Sequence, residues 1–427
     1  MRRTVAGVCS VLLSACSGQA HPGLVERSKG THVMSEPSPQ KTVTAPPTPS
    51  AVLASLGDEI VQLIREQYHD QQVAEAWAAR HAGYAADVTD RASFEAETAR
   101  RLAELPTSHT RYLAADDPRS AELRAVFDHL FDPVEAASPG AQFVAQGHAW
   151  FTARVFPGGP ADSAGLRRGD RVVRADGVAF HPGRAFAERA GSRVRLEIQR
   201  AVAGPLDTIE IVPRRQVPKQ EWLATQKTAS RIVSREGHRI AYAWLWSCAG
   251  EAHKQLLADF IAGEAERAEA MVIDFRDGWG GCNPDFVTLF SALPPRLDMR
   301  MRTQESSYQP SFRGPLVVLI NGRTTSGKEI VTHSLKRHGR VTVVGSPSAG
   351  AVAAGKPNRL SDGSMLYVAV GTILVDGVAL ESHPIAPDVP VDDQLEYAGG
   401  RDPQLERALD VAARLVTERG PTGGGAP

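Results

Sequence analysis

Cysteine is scarce, with four in 427 residues. Cys9 and Cys16 lie at the N-terminus, and neither Cys248 nor Cys282 has histidine, cysteine or aspartate nearby at zinc-ligand spacing. No metal or other cofactor is therefore expected. An excess of charge is also missing, with 48 basic residues against 49 acidic ones. No basic surface points to nucleic acid and no acidic block forms a partner-binding tail. There is no glycine loop to cradle a phosphate, since "GPTGGGAP" at 420–427 is only the end of the chain. Beyond the N-terminus no stretch reaches the roughly 20 apolar residues of a spanning helix. No internal repeat is visible. What remains is a length that suits two or three domains.

The first of these features is the N-terminus. Arg2-Arg3 forms a positive start, Val5 to Ala15 a short apolar run, and Leu13-Ser14-Ala15-Cys16 its end. This order resembles the bacterial lipobox. The resemblance implies removal of residues 1–15 as a signal peptide and lipid on Cys16. The protein would then be held to a bilayer without a spanning segment. Ser17 suits periplasmic attachment to the outer membrane. The other reading is an ordinary secretory signal cut near Ala15 or Ala20. In either oxidising compartment Cys248 and Cys282 are left as a pair, each after an apparent strand. They form either a disulfide or two half-buried thiols.

Residues 16–52 carry Pro37, Pro39, Pro46, Pro47 and Pro49 and read as a lipid anchor followed by a disordered tether. At 53–137 the pattern is helical. Leu56, Ile60, Leu63 and Ile64 share one face, and a second helix ends before Pro106, so a small helical domain is expected. Residues 138–216 have short strands and turns. Their centre, "VFPGGPADSAGLRRGDRVVRADGVAF", resembles a bacterial PDZ domain, with its carboxylate-binding loop near Gly147. PDZ domains bind peptide ends along a sheet edge. From 217 to 417 apolar runs such as "AMVIDF", "PLVVLI" and "VTVVG" alternate with helical segments. The fold class is therefore α/β, a mostly parallel sheet covered by helices. "GSMLYVAV" and "GTILVDGVAL" suggest a terminal hairpin, and 418–427 a disordered tail.

Four blocks in this chain, "SHTRYL" at 108–113, "VIDFRDGWGG" at 272–281, "LINGRTTSGKEI" at 319–330 and "ALESHPIAPDVPV" at 379–391, occur in an order that resembles the tail-specific, or C-terminal processing, proteases and the tricorn-core peptidases. The resemblance runs from about Ser55 to Val391 and implies a crotonase-like protease core. It also implies a serine endopeptidase that cleaves unstructured proteins or peptides, taken through a C-terminus or unfolded segment. The nucleophile would be Ser326, three residues before Glu329. A serine hydroxyl needs a base. The C-terminal processing proteases supply a lysine about two dozen residues later, where this chain has Gly350-Ala351. The tricorn-like branch instead uses a histidine preceded by a serine, ahead of the PDZ domain. Ser108-His109 stands there, and imidazole titrates near working pH. Glu381 in the closing block would orient the pair as the acid of a triad does. The backbone of Gly327, with Gly280 or Gly281, would stabilise an oxyanion. Lys356 and His383 are alternative bases. Asp274 and Arg276 read as structural. The missing lysine motivates a rival of another class, a non-catalytic scaffold that binds peptides.

Overall fold

The structure is a computed structural model that describes residues 49–291, 294–300 and 305–420. Cys9, Cys16 and the expected signal and tether up to residue 48 lie outside the described residues, as do 421–427. Among the described residues no helix is long and apolar enough to cross a membrane.

The chain is α/β, and its centre is a six-stranded sheet. The strands run Arg231–Arg235, His238–Trp244, Ala270–Asp274, Leu316–Ile320, Thr342–Gly345 and Val389–Pro390, in that spatial order. The first pair is antiparallel and every later pair is parallel. Central strands of a parallel sheet are covered on both faces, which is why "AMVID" and "LVVLI" are buried at every position and apolar at all but Asp274. One face packs Leu257, Ile261, Val331 and Leu335 from the helices Glu251–Ala262 and Gly327–Arg337. The other packs Trp222 and Leu409 from Pro218–Ala229 and Pro403–Arg419.

The β-rich unit has five main strands in the order Ala141–Gln146, Ala149–Val155, Arg171–Ala175, Val194–Gln199 and Leu206–Ile211. Its core holds Phe143, Phe180, Phe186 and Leu196. Gly165, at φ +75°, follows the Pro160–Ser163 turn of helix and allows Leu166 N–H to reach Ala161 O at 3.0 Å. Gly147, expected beside a carboxylate-binding loop, is instead the turn of a tight hairpin joining Ala141–Gln146 to Ala149–Val155. Its φ of +58° is the reason for glycine there. Ala141–Gln146 is left at the edge of the sheet.

Three expected boundaries are corrected. Helix already begins at Pro49, inside the expected tether, and the last helix runs to Arg419. The helical segment expected at 53–137 does not have a core of its own. Leu56, Ile60, Ile64 and Phe94 pack with Leu360, Leu366 and Val368 from much later in the chain. The strand Arg111–Leu113 pairs antiparallel with Met365–Thr372, and that strand also pairs with Ala353–Arg359. Residues 365–372 therefore do not form the expected hairpin with 374–379, whose two short strands pair only with each other. These pairings carry the segment containing Ser108 and His109 to the core.

Candidate active site

Ser326 follows the buried strand Leu316–Ile320 and a turn fixed by its own side chains. Thr324 N–H reaches Asn321 O at 2.8 Å, and Asn321 N–H reaches Thr324 Oγ1 at 3.0 Å. Ser326 then takes φ +58° and ψ −128° as the residue capping the helix Gly327–Arg337. A non-glycine residue costs about 1–3 kcal/mol in such a region and persists only where its surroundings fix it. Here Ser326 N–H donates to Ala351 O at 2.8 Å and to Glu329 Oε2 at 3.1 Å.

Glu329 is fully buried and serves as a common acceptor. Besides Ser326 N–H it takes Ser348 Oγ at 2.6 Å, Gly350 N–H at 2.8 Å and Ala351 N–H at 2.9 Å. Burial pushes its carboxyl up, and these donors pull it back down. Glu329 thus ties the serine turn to the strap 348–352. Its role was not legible as chemistry in the sequence, where it marked only the block around Ser326.

The next residue of the strap turns to a second carboxylate. Val352 N–H donates to Glu381 Oε2 at 2.6 Å. Glu381 Oε1 accepts Ser108 N–H at 2.7 Å, and Oε2 accepts the Ser108 hydroxyl at 3.0 Å. Ser108 Oγ lies 2.7 Å from His109 Nδ1. Because the hydroxyl proton goes to the carboxylate, the oxygen accepts from Nδ1–H, and this tautomer leaves Nε2 with its lone pair. His109 is buried, 5% exposed, and its ring lies 5.4 Å from that of Tyr367. Burial, aided by the charge of Arg111 and opposed by Glu381, lowers its pKa to about 4. The imidazole is therefore neutral at ordinary pH.

Ser326 and Glu381, the carboxylate that holds Ser108, are thus each hydrogen-bonded to one strap, through its adjacent residues Ala351 and Val352. Ala351 spends its amide on Glu329 and its carbonyl on Ser326. Lys356 is exposed on the strand Ala353–Arg359. His383 is also exposed, and its Nδ1 donates to Glu381 O at 2.7 Å.

The loop 276–282 covers the other side of the serine. A Cβ on Gly280 would stand 2.7 Å from Ser326 Cβ, 2.9 Å from Thr325 O and 3.0 Å from Gly327 N. On Gly281, at φ +82°, it would meet Ala249 Cβ at 2.7 Å. Gly280 therefore faces the serine turn and Gly281 faces away from it. Among the described residues neither Gly280 N–H nor Gly327 N–H donates a hydrogen bond within the protein. The Cys248 and Cys282 sulfurs are bonded, with a Cα–Cα distance of 4.6 Å. Cys248 N–H donates to Gly280 O at 3.2 Å.

Asp274 and Arg276 belong to a buried ionic network. Arg276 donates Nη2 to Asp274 Oδ2 at 2.6 Å and Nη1 to Asp402 Oδ1 at 2.7 Å. Arg154, from the β-rich unit, reaches Asp277 Oδ2 at 2.5 Å, and Arg323 pairs with the other oxygen. These cations hold Asp277 well below the usual carboxylate range. Among the described residues no group of three or more histidine, cysteine, aspartate or glutamate side chains could hold a metal ion.

Residues 239–391 match the peptidase family S41, and residues 151–200 match the PDZ domain. Tricorn protease homolog 1 of Streptomyces coelicolor is 26% identical over 295 residues, covering 63% of this chain and 27% of the relative. The carboxyl-terminal-processing protease of Synechocystis is 26% identical over 277 residues, covering 60% of this chain and 62% of the relative. The chain therefore spans between about a quarter and three fifths of the length of these curated relatives. The crystal structure of the tricorn protease aligns with 86% of this chain and 36% of its own, at 20% identity and a TM-score of 0.52, a likeness of fold.

Proposed function

We propose, from the premise that the chain belongs to the tail-specific protease family through its peptidase S41 and PDZ domains, that it is a serine endopeptidase with a tricorn-like relay in place of a serine–lysine pair. The observation that carries this reading is the continuous chain of hydrogen bonds from Glu381 through Ser108 to His109 Nδ1. It orients the imidazole and leaves Nε2 to accept the proton of Ser326 Oγ. Ser326 then attacks the scissile carbonyl. The free N–H groups of Gly327 and Gly280 receive the oxyanion. His109, now an imidazolium steadied through Ser108 by Glu381, returns its proton to the leaving amine, and water releases the acyl group by the reverse route.

Protein or peptide substrates follow from a peptidase domain joined to a PDZ domain. An unfolded segment or C-terminus would pair as an added strand on the edge strand Ala141–Gln146. Membrane attachment through an acylated Cys16 would place this activity on the periplasmic side of a bacterial membrane.

A fluorophosphonate probe tests the assignment, with the labelled residue located by peptide mapping. Label is expected on Ser326 in the wild type. It should vanish in Ser326→Ala and fall by roughly 100-fold to 10,000-fold in rate in His109→Ala, the range of general-base contributions. An unlabelled wild type, with and without a peptide that occupies the PDZ edge, would instead favour a peptide-binding scaffold.

A further inference from the structure

Two residues after the proposed nucleophile stands a lysine that the reaction above does not use. Lys328 is fully buried on the helix Gly327–Arg337. An exposed helix start readily accommodates a lysine, but one without access to water must spend its N–H donors inside the protein. Lys328 Nζ donates to Asp277 O at 2.7 Å and to Trp246 O at 3.1 Å. Burial lowers its pKa to about 7, against the opposing pull of Asp277 and Asp274. The charged and the neutral amine each keep enough N–H groups for both bonds.

Both acceptors lie where the chain leaves the central sheet. Trp246 follows the strand His238–Trp244, and Asp277 follows Ala270–Asp274. Asp277 has φ +61° and Gly278 φ +68°, two consecutive residues in the left-handed region. A Cβ on Gly278 would fall 1.9 Å from Trp246 O, so the turn is pressed against the very carbonyl that Lys328 holds. Trp279 N–H donates to that same carbonyl at 2.8 Å, and the next amide is that of Gly280. Ser326, Gly327 and Lys328 are consecutive. One side chain therefore connects the segment bearing the nucleophile to the turn bearing the second free amide.

We propose that Lys328 is a positioning residue that sets the Gly280 amide relative to the Gly327 amide, so that both point to one oxyanion. This rests on the peptidase reading of Ser326. The residue touches no substrate. It acts through the peptide bond between Asp277 and Gly278.

Lys328→Met keeps length and apolar bulk while removing the donors. It is compared with wild type by amide hydrogen exchange and by the concentration dependence of fluorophosphonate inactivation. Exchange across 277–282 is expected to quicken at least tenfold, while the strand Leu316–Ile320 keeps its protection. The limiting inactivation rate should fall at least tenfold with the half-saturating probe concentration within twofold of wild type. Lys328→Gln, which retains one donor group, should fall between the two and carries the same test if the methionine variant does not fold. Unchanged exchange at 277–282, an unchanged limiting rate, or faster exchange spread evenly over all strands would each overturn the proposal. If the wild type takes no label, the peptidase reading fails. The exchange at 277–282 then still supports or overturns the tether by itself.

Discussion

Ser108 gives Glu381 two hydrogen bonds, one from its backbone N–H and one from its hydroxyl, across 273 residues of chain. The carboxylate takes only donors, three in all with Val352 N–H. That arrangement fixes the direction of every proton in the relay. Glu381→Gln would turn an NH2 group toward one of these donors and offer the Ser108 oxygen a proton from the wrong side. The hydroxyl would then point at His109 and favour the tautomer with its proton on Nε2. A misassigned tautomer in a serine triad costs roughly 10,000-fold. Glu381→Gln is thus expected to slow fluorophosphonate labelling more than Ser108→Ala, for which roughly 10-fold to 100-fold is expected because the imidazole loses its support but is not driven to the wrong tautomer. Lys356→Ala, on an exposed strand, should stay within about twofold of wild type. Equal losses in the two relay variants would contradict this account.

The burial of His109 sets the pH profile. Its pKa is lowered to about 4, so the base is neutral down to mildly acidic pH. The rate of labelling should be level from pH 8 to about 5 and halve near pH 4, rather than near the ordinary histidine value of about 6.5. Stability follows the same sign. Below about 6.5 the unfolded chain binds a proton that the folded one refuses, so stability is present above that pH and is lost as pH falls toward 4. His253, fully buried and lowered to about 3, adds to the loss in the same direction. At full shift His109 contributes on the order of 3 kcal/mol and His253 on the order of 5 kcal/mol. Short labelling pulses alongside thermal melts at each pH separate the two effects. An acid limb at pH 6 to 7 in protein that remains folded would show that the imidazole is not held neutral.

Local signals made part of this site legible. The compact block around Ser326 and Glu329, the Pro160–Asp170 pattern and the apolar strands each lie within a dozen or so residues, where sequence and structure share one period. Non-local pairing was not legible. Nothing in "SHTRYL" states that Arg111 will stand opposite Tyr367. The helical segment therefore read as a separate domain, although its apolar face is completed by Leu366 and Val368. The burial of charged side chains was not legible either. Nothing local in the sequence marks Lys328 and Glu329 as buried, since it is the distant loop 276–282 and strap 348–352 that close over them. Trp279 gave no signal of its partner either, since its indole N–H reaches Glu122 Oε2 at 2.7 Å from a distant helix, Pro118–Val126.

The disulfide offers a perturbation that needs no mutation. Cys248 and Cys282 are separated by 34 residues, and a closed loop of that size stabilises a fold by roughly 3–4 kcal/mol in the chain-entropy account. Its place matters as well. A Cβ on Gly327 would meet Cys282 N at 2.5 Å and Cys282 O at 2.7 Å, so the Cys282 backbone is in close contact with the serine turn. Reduction should lower the melting temperature and slow labelling several-fold even well below that temperature. Cys282→Ser should reproduce both changes and be indifferent to reductant. Labelling that is unaffected by reduction, with the bond shown broken by mass, would confine the disulfide to a stabilising role.

Gly280→Ala separates the geometry of the site from its stability. Gly280 has no positive φ, so alanine is allowed by its backbone. The obstacle is space, since the added methyl would stand 2.7 Å from Ser326 Cβ and 2.9 Å from Thr325 O. The turn must move off the serine by several tenths of an ångström, and its free amide moves with it. Loss of one oxyanion donor costs roughly 100-fold to 1,000-fold in rate. A fall of about that size is expected in the limiting rate of labelling, with cooperative unfolding retained and the melting temperature lowered only modestly. Gly281→Ala should behave in the opposite manner. At φ +82° its backbone disfavours any side chain and its methyl would press on Ala249, so stability falls first. If Gly280→Ala labels at the wild-type rate, the amide of Gly280 is not an oxyanion donor, and the role passes to another group on the loop 276–282.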